Sequence, residues 1–278
     1  MRVMRKSAVL PVLLCSGILL LTGCAKLKSR DEMNHGVQAF KNNHYPEAVR
    51  HFKEAVRLDP ENTNAQSYLA TSYFIQWVPG ADSPDNKKNY DAAQQEFQNI
   101  LKKDPTNSQA LASMANMAYN SATAGTPETR KAAFEEARKW NERRIEVDPK
   151  DGEAYYYLGV IDYYDALGDI QTARINDKPK LSANDPGPLK DAKTKEELKA
   201  KYGKSIENGL EQLKKAMAID KENEDAMSYY QLLLREKAAI VDTPDEAKAL
   251  WTEANDWMEK SLNMKRMKAA RPAKQQAS

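Results

Sequence analysis

The chain has 278 residues, of which 41% are hydrophobic and 29% are charged, and its formal net charge at pH 7 is +2. This size and composition allow a sizeable buried core, and the near balance of charge excludes the strong basic bias typical of nucleic-acid-binding proteins. We therefore predict no nucleic-acid partner. Glycines are few, and no stretch alternates apolar and polar residues as strands do, so we predict an all-α fold.

The first 23 residues are typical of an export signal. Three basic residues precede an apolar stretch at 7–21 that is short for a transmembrane helix. The sequence Leu-Thr-Gly-Cys at 21–24 resembles the bacterial lipobox, in which the chain is cut before the cysteine and lipid is attached to it. The resemblance implies a lipid anchor on Cys24. The alternative is an ordinary signal peptide with a chance cysteine.

Removal of this segment changes the expected chemistry of the mature chain. Three basic and no acidic residues leave with it, so the net charge falls from +2 to −1. Cys15 is removed and Cys24 carries lipid, so no free thiol remains, which suits an oxidising periplasm. We predict a short tether at 24–28. Ala25 is not the aspartate that retains lipoproteins in the inner membrane of enteric bacteria, so this resemblance favours the outer membrane, facing the periplasm.

A helical unit recurs along the rest of the chain. The stretch YPEAVRHFKEAVRLDP at 45–60 has apolar residues at spacings of three and four, the period of a helix with one buried stripe. Its final Asp-Pro pair stops the helix, because proline lacks an N–H and disfavours helix in the residue before it. Similar stretches end at Pro105, at Pro149 and, without proline, at Lys221. Each helix needs neighbours to bury its stripe, which is the logic of a solenoid.

The recurring unit resembles the tetratricopeptide repeat (TPR) family, whose repeat is two antiparallel helices. Leu158-Gly159 matches the first helix of that repeat, and Ala48 with Phe52 matches the second. The resemblance implies an α-solenoid of about five helix-turn-helix repeats. The predicted boundaries are 1–23 for the signal peptide, 24–28 for the tether, 29–62, 63–107, 108–151, 152–223 and 224–266 for repeats one to five, and 267–278 for a basic disordered tail.

The repeats exceed the usual length of about 34 residues. The extra residues fall between paired helices, and the longest insertion covers about 168–205. Two interpretations are open: longer helices with looser loops, or loops that stack into a surface of their own. Thr194 with Glu197, and Thr243 with Glu246, have the spacing of a capping box at a helix start.

Little in the sequence indicates catalysis. His35, His44 and His51 lie within 17 residues, but their spacing fits no known metal-ligand pattern. A metal-binding protein or enzyme through this cluster is therefore the least favoured alternative. Carboxylates are spread with lysines along helix surfaces, as on solvated faces. We predict no enzymatic activity, no bound metal and no cofactor.

The resemblance implies that the first helices of the repeats line a concave groove that binds extended peptides or helices. By register, the predicted groove residues are Phe40, Phe74, Asn116, Tyr119, Tyr156, Val160, Tyr163 and Tyr164. The alternative is that the aromatic residues among them are core residues. Relatives that clamp a C-terminal carboxylate use Lys and Asn where this chain has Met33 and Val37, so that activity is not supported.

The last predicted helix, at 244–264, is apolar over an arc wider than the usual stripe of ~100°. We predict that its surface near Trp251 or Leu262 faces a partner or a second copy of the chain. Together, the patterns favour a lipid-anchored scaffold that binds protein or peptide partners at the cell envelope. A component of an outer-membrane machine for barrel assembly or pilus biogenesis is the alternative.

Overall fold

A computed structural model describes residues 10–178 and 185–271, with side chains from Cys24 onward. Within those ranges every regular element is an α-helix. The helices are α1 (Leu10–Lys41), α2 (Tyr45–Leu58), α3 (Thr63–Gln76), α4 (Pro84–Lys103), α5 (Ser108–Ala124), α6 (Pro127–Val147), α7 (Gly152–Asn176), α8 (Ala192–Ile219), α9 (Glu224–Ile240) and α10 (Pro244–Ala269).

The chain divides into two compact units, Met1–Gly125 and Thr126–Ser278. Unit 1 contains α1 to α5, and unit 2 contains α6 to α10. Consecutive helices pack against each other within each unit. The boundary between the units lies between α5 and α6, inside the range predicted for repeat three.

Small residues allow the first two helices of unit 1 to pack closely. Gly36 of α1 is buried, and a Cβ atom there would lie 2.6 Å from the ring of Phe52. Phe52, Ala48 and Ala55 of α2 have no exposed surface. The Ser29 hydroxyl donates a hydrogen bond to the Ala55 carbonyl oxygen at 2.8 Å. The stripe predicted from the spacing at 45–60 is therefore the buried face of α2.

Unit 2 has the same kind of close contact between α7 and α8. A Cβ atom on Gly159 would lie 2.4 Å from Cγ of Leu213, so only glycine fits there. One turn further along α7, the buried Asp162 carboxylate accepts hydrogen bonds from Arg138 at 2.9 Å and from Ser205 at 2.8 Å. These bonds connect α6, α7 and α8. Burial raises the pKa of Asp162, while Arg138 and Ser205 oppose that rise.

Much of the predicted insertion at 168–205 is helical, because α7 continues to Asn176 and α8 begins at Ala192. Residues 185–191 pack onto the rest of unit 2. Leu189 is buried, and its N–H donates to the Ala239 carbonyl oxygen at 2.9 Å. The Asp177 carboxylate accepts two backbone N–H groups of the same segment. The longer-helix interpretation therefore accounts for much of the extra length of this repeat.

Two predictions of non-helical structure are wrong where the structure describes the residues concerned, at 24–28 and at 267–269. Residues 24–28 continue α1 instead of forming a tether, because Ala, Lys and Leu are good helix formers with no stop signal among them. At the other end, α10 runs to Ala269 instead of ending before a tail, and Arg271 pairs with Glu222 at 2.6 Å. Residues 272–278 lie outside the described range.

Candidate partner-binding surface

Two predicted groove residues of unit 1 belong to clusters of aromatic rings. Phe40 of α1 packs edge-on against Tyr45 and Tyr68, with ring centroids 5.4 and 5.7 Å apart. Phe74 of α3 lies 6.0 Å from the ring of Trp77. Both phenylalanines are half-buried, so one part of each ring packs on a neighbour and another part meets solvent.

The helix α5, which is the first helix of predicted repeat three, contributes Asn116 and Tyr119, and both are also half-buried. Sequence reasoning missed Ile75 and Val78, whose side chains are 43% and 57% exposed. Ile75 lies in the last turn of α3, and Val78 lies two residues after that helix ends. Both add apolar surface next to Phe74 in sequence that the buried stripe of α3 does not include.

The tyrosines of unit 2 form a cluster between α7 and α9. Tyr163 lies 5.5 Å from Tyr229, and Tyr156 lies 5.9 Å from the same ring. Tyr164 stacks on Phe134 of α6 at 5.5 Å. Sequence reasoning missed Tyr229, since its register position differs from that of the predicted groove residues. Three helices of unit 2 therefore meet through aromatic rings.

Two predicted groove residues of unit 2 are core residues instead. Val160 has no exposed surface, and Tyr163 is only 9% exposed. The prediction is wrong for both, because α7 is flanked by α8 and α9 and this part of its surface is covered. Tyr156 and Tyr164 remain half-buried. Burial, with a smaller contribution from Glu236, raises the pKa of Tyr163 to about 12, so its phenol stays neutral.

Glu236 of α9 is buried beside this cluster. One carboxylate oxygen accepts a hydrogen bond from the Gln171 side chain of α7 at 2.8 Å, and the other has no partner among the described residues. Burial raises the pKa of Glu236 to about 7, although Gln171 and the charge of Arg174 oppose the rise.

Trp251 of α10 is half-buried and lies close to two arginines. The Arg235 guanidinium carbon lies 4.4 Å from the centre of its ring, and that of Arg174 lies 5.7 Å away. Leu262, further along α10, is 46% exposed, and Met258 is 41% exposed. The predicted contact of Trp251 or Leu262 with a partner stays a prediction.

The histidines do not converge on one point. The rings of His35 and His51 stack at 5.4 Å, and His51 Nδ1 lies 2.7 Å from a carboxylate oxygen of Glu32. His44 lies at the start of α2, 3.8 Å from Glu47. Over the described parts of the chain, no three His, Cys, Asp or Glu side chains are placed to hold a metal ion.

Cys24, the predicted lipid site, is exposed and lies within α1. Residues 1–9 of the predicted signal peptide lie outside the described range. Among the helices at 10–178 and 185–271, none combines the length and the apolar character needed to cross a membrane.

Comparison with known proteins supports the fold. The family model described as the plant-specific mitochondrial import receptor subunit TOM20 matches residues 37–125. Among curated proteins, none matches the chain.

Three solved structures illustrate the likeness. A crystal structure of MamA protein is 17% identical, with 87% of this chain and 94% of that chain covered and a TM-score of 0.50. A MamA RS-1 ArsTM double mutant is 16% identical, with 88% and 98% covered and a TM-score of 0.50. A thermophilic TPR protein of Thermus thermophilus is 15% identical, with 87% and 97% covered and a TM-score of 0.43. The chain has a TPR-like α-solenoid fold.

Proposed function

We propose that this chain is a lipid-anchored scaffold that binds protein or peptide partners along the first helices of its repeats. The observation that carries the proposal is a set of half-buried rings at one register position of three consecutive first helices: Phe40, Phe74 and Tyr119. Such rings are stiff and apolar, so a partner gains contact area at little entropic cost. The match of residues 37–125 to a family named for an import receptor subunit adds support for recognition of a protein by unit 1.

The binding test compares rings of first and second helices in unit 1. Phe74→Ala and Tyr119→Ala should lose crosslinked partners in envelope extracts while the melting temperature stays nearly unchanged. Truncation of an interface residue that dominates binding typically weakens the binding free energy by at least ~2 kcal/mol. Tyr90→Ala is the matched control, since Tyr90 is a half-buried ring on α4, a second helix.

Tyr163→Ala gives the opposite expectation, because that ring is core. It should lower the melting temperature and reduce binding only through loss of folded protein. Equal loss of partners in Tyr90→Ala and Phe74→Ala would defeat the proposed groove. A lowered melting temperature with partners retained in both Phe74→Ala and Tyr119→Ala would show that those rings only pack the core.

The anchor is proposed to be lipid on Cys24, with the protein on the outer membrane and facing the periplasm. The lipobox resemblance and Ala25 support this location. A single acyl chain binds membranes with a constant of only about 10⁴ per molar, so stable attachment requires more than one chain. Cys24→Ser should move the protein from the membrane pellet to the soluble fraction or stall its processing. A variant that is cleaved normally and stays in the pellet would exclude this anchor.

A further inference from the structure

Arg174 and Arg235 are two cations of unit 2 without a carboxylate partner. Arg235 donates from Nε to the Gln231 side-chain oxygen at 2.9 Å, and from Nη2 to the Asn255 side-chain oxygen at 2.8 Å. Arg174 donates from Nη2 to the backbone oxygen of Asp185 at 2.7 Å. All three acceptors are neutral groups. Among the described residues, neither arginine lies within ion-pair distance of a carboxylate oxygen.

The segment that follows α7 does not supply a side-chain carboxylate for the two arginines. Residues 179–184, which lie outside the described range and follow α7, contain no acidic residue. Glu236 is the buried carboxyl group that feels the charge of Arg174, but its hydrogen bond comes from Gln171. Among the described residues, neither guanidinium group therefore forms an ion pair with a carboxylate.

The surroundings of Arg174 and Arg235 also favour the binding of an anion. Nη1 of Arg174 is buried without a hydrogen-bond partner. Burial, and then repulsion by the charge of Arg174, lowers the pKa of Arg235. Desolvated like charges close to each other are costly unless a counter-charge joins them. Trp251 completes the site, since both guanidinium groups lie within 6 Å of its ring centre.

The three residues come from separate elements of unit 2. Arg235 is the twelfth residue of predicted repeat five, the position that Phe40, Phe74 and Tyr119 hold in predicted repeats one to three. Arg174 comes from the extended end of α7, and Trp251 from the first half of α10.

We propose that Arg174, Arg235 and Trp251 form a binding site for a side-chain carboxylate of an acidic peptide segment. Arginine presents paired N–H donors that match a carboxylate, and Trp251 offers an apolar wall for the atoms behind it. This deepens the proposed function, on which it rests for the peptide nature of the ligand, and it assigns an acidic residue to the partner.

The test uses two synthetic hexapeptides with blocked ends, acetyl-Ser-Phe-Ser-Phe-Glu-Glu-amide and the same peptide with glutamine in place of glutamate. Binding is followed by fluorine NMR of protein labelled with 5-fluorotryptophan, with the Trp251 resonance assigned through Trp251→Phe. The glutamate peptide should shift that resonance and bind at least about tenfold more tightly, since hydrogen bonds to a charged partner exceed neutral ones by that order. Its affinity should fall with added salt, whereas that of the glutamine peptide should not.

Variants locate the effect. Arg235→Gln and Arg174→Gln should each reduce the affinity for the glutamate peptide to the level of the glutamine peptide, and Arg235→Lys should restore part of it. Arg143→Gln is the matched control, because Arg143 lies over a different ring of unit 2, that of Trp140, at 5.7 Å. Circular dichroism and the melting temperature check that each variant is folded.

Three results would overturn the site: an unmoved Trp251 resonance, equal and salt-independent affinity of the wild type for both peptides, or an equal loss in Arg143→Gln. The salt comparison uses the wild type, so it decides the question even where a variant is unstable. The assay requires neither lipid on Cys24 nor the native partner. Failure of the anchor or of partner capture by unit 1 is therefore distinguishable from failure of this site.

Discussion

Two glycines of α7 differ in what surrounds the missing Cβ atom. At Gly159 that atom would lie 2.4 Å from Cγ of Leu213 and 3.0 Å from the backbone oxygen of Gly209, whereas at Gly168 nothing lies within 4 Å. Gly159→Ala should lower the free energy of unfolding by about 1–3 kcal/mol, because two packed helices have to separate. Gly168→Ala should raise it by about 0.4–1 kcal/mol, since alanine loses less entropy in a helix.

Thermal unfolding of these two variants checks this assignment, and each serves as the control for the other. If Gly159→Ala is as stable as Gly168→Ala, the close approach of α7 and α8 is not present in solution.

Glu236 should make unit 2 less stable as the pH rises. Its pKa is about 7 in the folded protein against an ordinary value of 4.5, so the folded state binds more protons between those values. Its contribution to stability is complete below about pH 4.5 and is lost as the pH rises through 7. Glu236→Gln removes this ionisation. The free energy of unfolding of the variant, relative to that of the wild type, should therefore increase between pH 5 and pH 8 by on the order of 2–3 kcal/mol.

Urea unfolding at the two pH values measures that difference. Glu142→Gln is the control, because it makes the same replacement at a glutamate that is exposed on α6. If the difference in unfolding free energy between Glu236→Gln and the wild type is the same at pH 5 and pH 8, the buried carboxyl group does not titrate in this range.

At the scale of the helix, two N-caps of similar sequence differ in their hydrogen bonds. Thr243 caps α10 in a full capping box with Glu246, as the sequence predicted. The Thr126 side chain caps no backbone N–H of α6, although a proline follows it too. Thr243→Ala should therefore lower stability by about 1 kcal/mol, and Thr126→Ala by less. Chemical unfolding of both variants decides this, and equal losses would contradict it.

The start of α8 shows how a cap is misassigned from spacing. Thr194 and Glu197 have the capping-box spacing, but the N-cap is Asp191, whose carboxylate accepts the N–H of Thr194. Asp191 is as good a cap as threonine and comes earlier in the chain. The segment before it is ordered by Asp177, so the helix begins sooner than the pattern suggests.

The basic end of α10 is ordered by the acidic start of α9. Lys265 pairs with Asp225, Lys268 with Glu224, and Arg271 with Glu222. The antiparallel packing of the two helices brings these opposite charges together, and the cations at the end of α10 also complement its dipole. The sequence pattern alone shows only the run of basic residues, because their partners lie in a different helical segment, well before them in the chain.

At the scale of the whole molecule, the two compact units should unfold as separate cooperative steps. Phe52 has no exposed surface in unit 1, and Leu213 has none in unit 2. Phe52→Ala should destabilise unit 1 by about 3–5 kcal/mol, and Leu213→Ala should destabilise unit 2 by about 2–5 kcal/mol, each leaving the other unit nearly unchanged. Hydrogen exchange across a urea series, read separately from peptides of α2 and α8, follows both units. A single transition that moves as a whole in both variants would contradict the division.

The sequence by itself determined the fold class and the helix stripes. Spacings of three and four, small residues such as Ala48, and helix stops such as Asp59-Pro60 act over a few residues, so they can be read directly. The position of α2 and its buried face follow from them. The shared position of Phe40 and Phe74 in their repeats is also read from the sequence, since the pattern repeats from one helix pair to the next.

Only the tertiary structure decided which side chains of unit 2 are covered and which charges meet. Val160 and Tyr163 have suitable register for a groove, but neighbouring helices bury them. Arg174, Arg235 and Trp251 are far apart in sequence and meet because α7, α9 and α10 bring them together. Burial and charge pairing depend on contacts between distant segments, and a local pattern holds no information about those contacts.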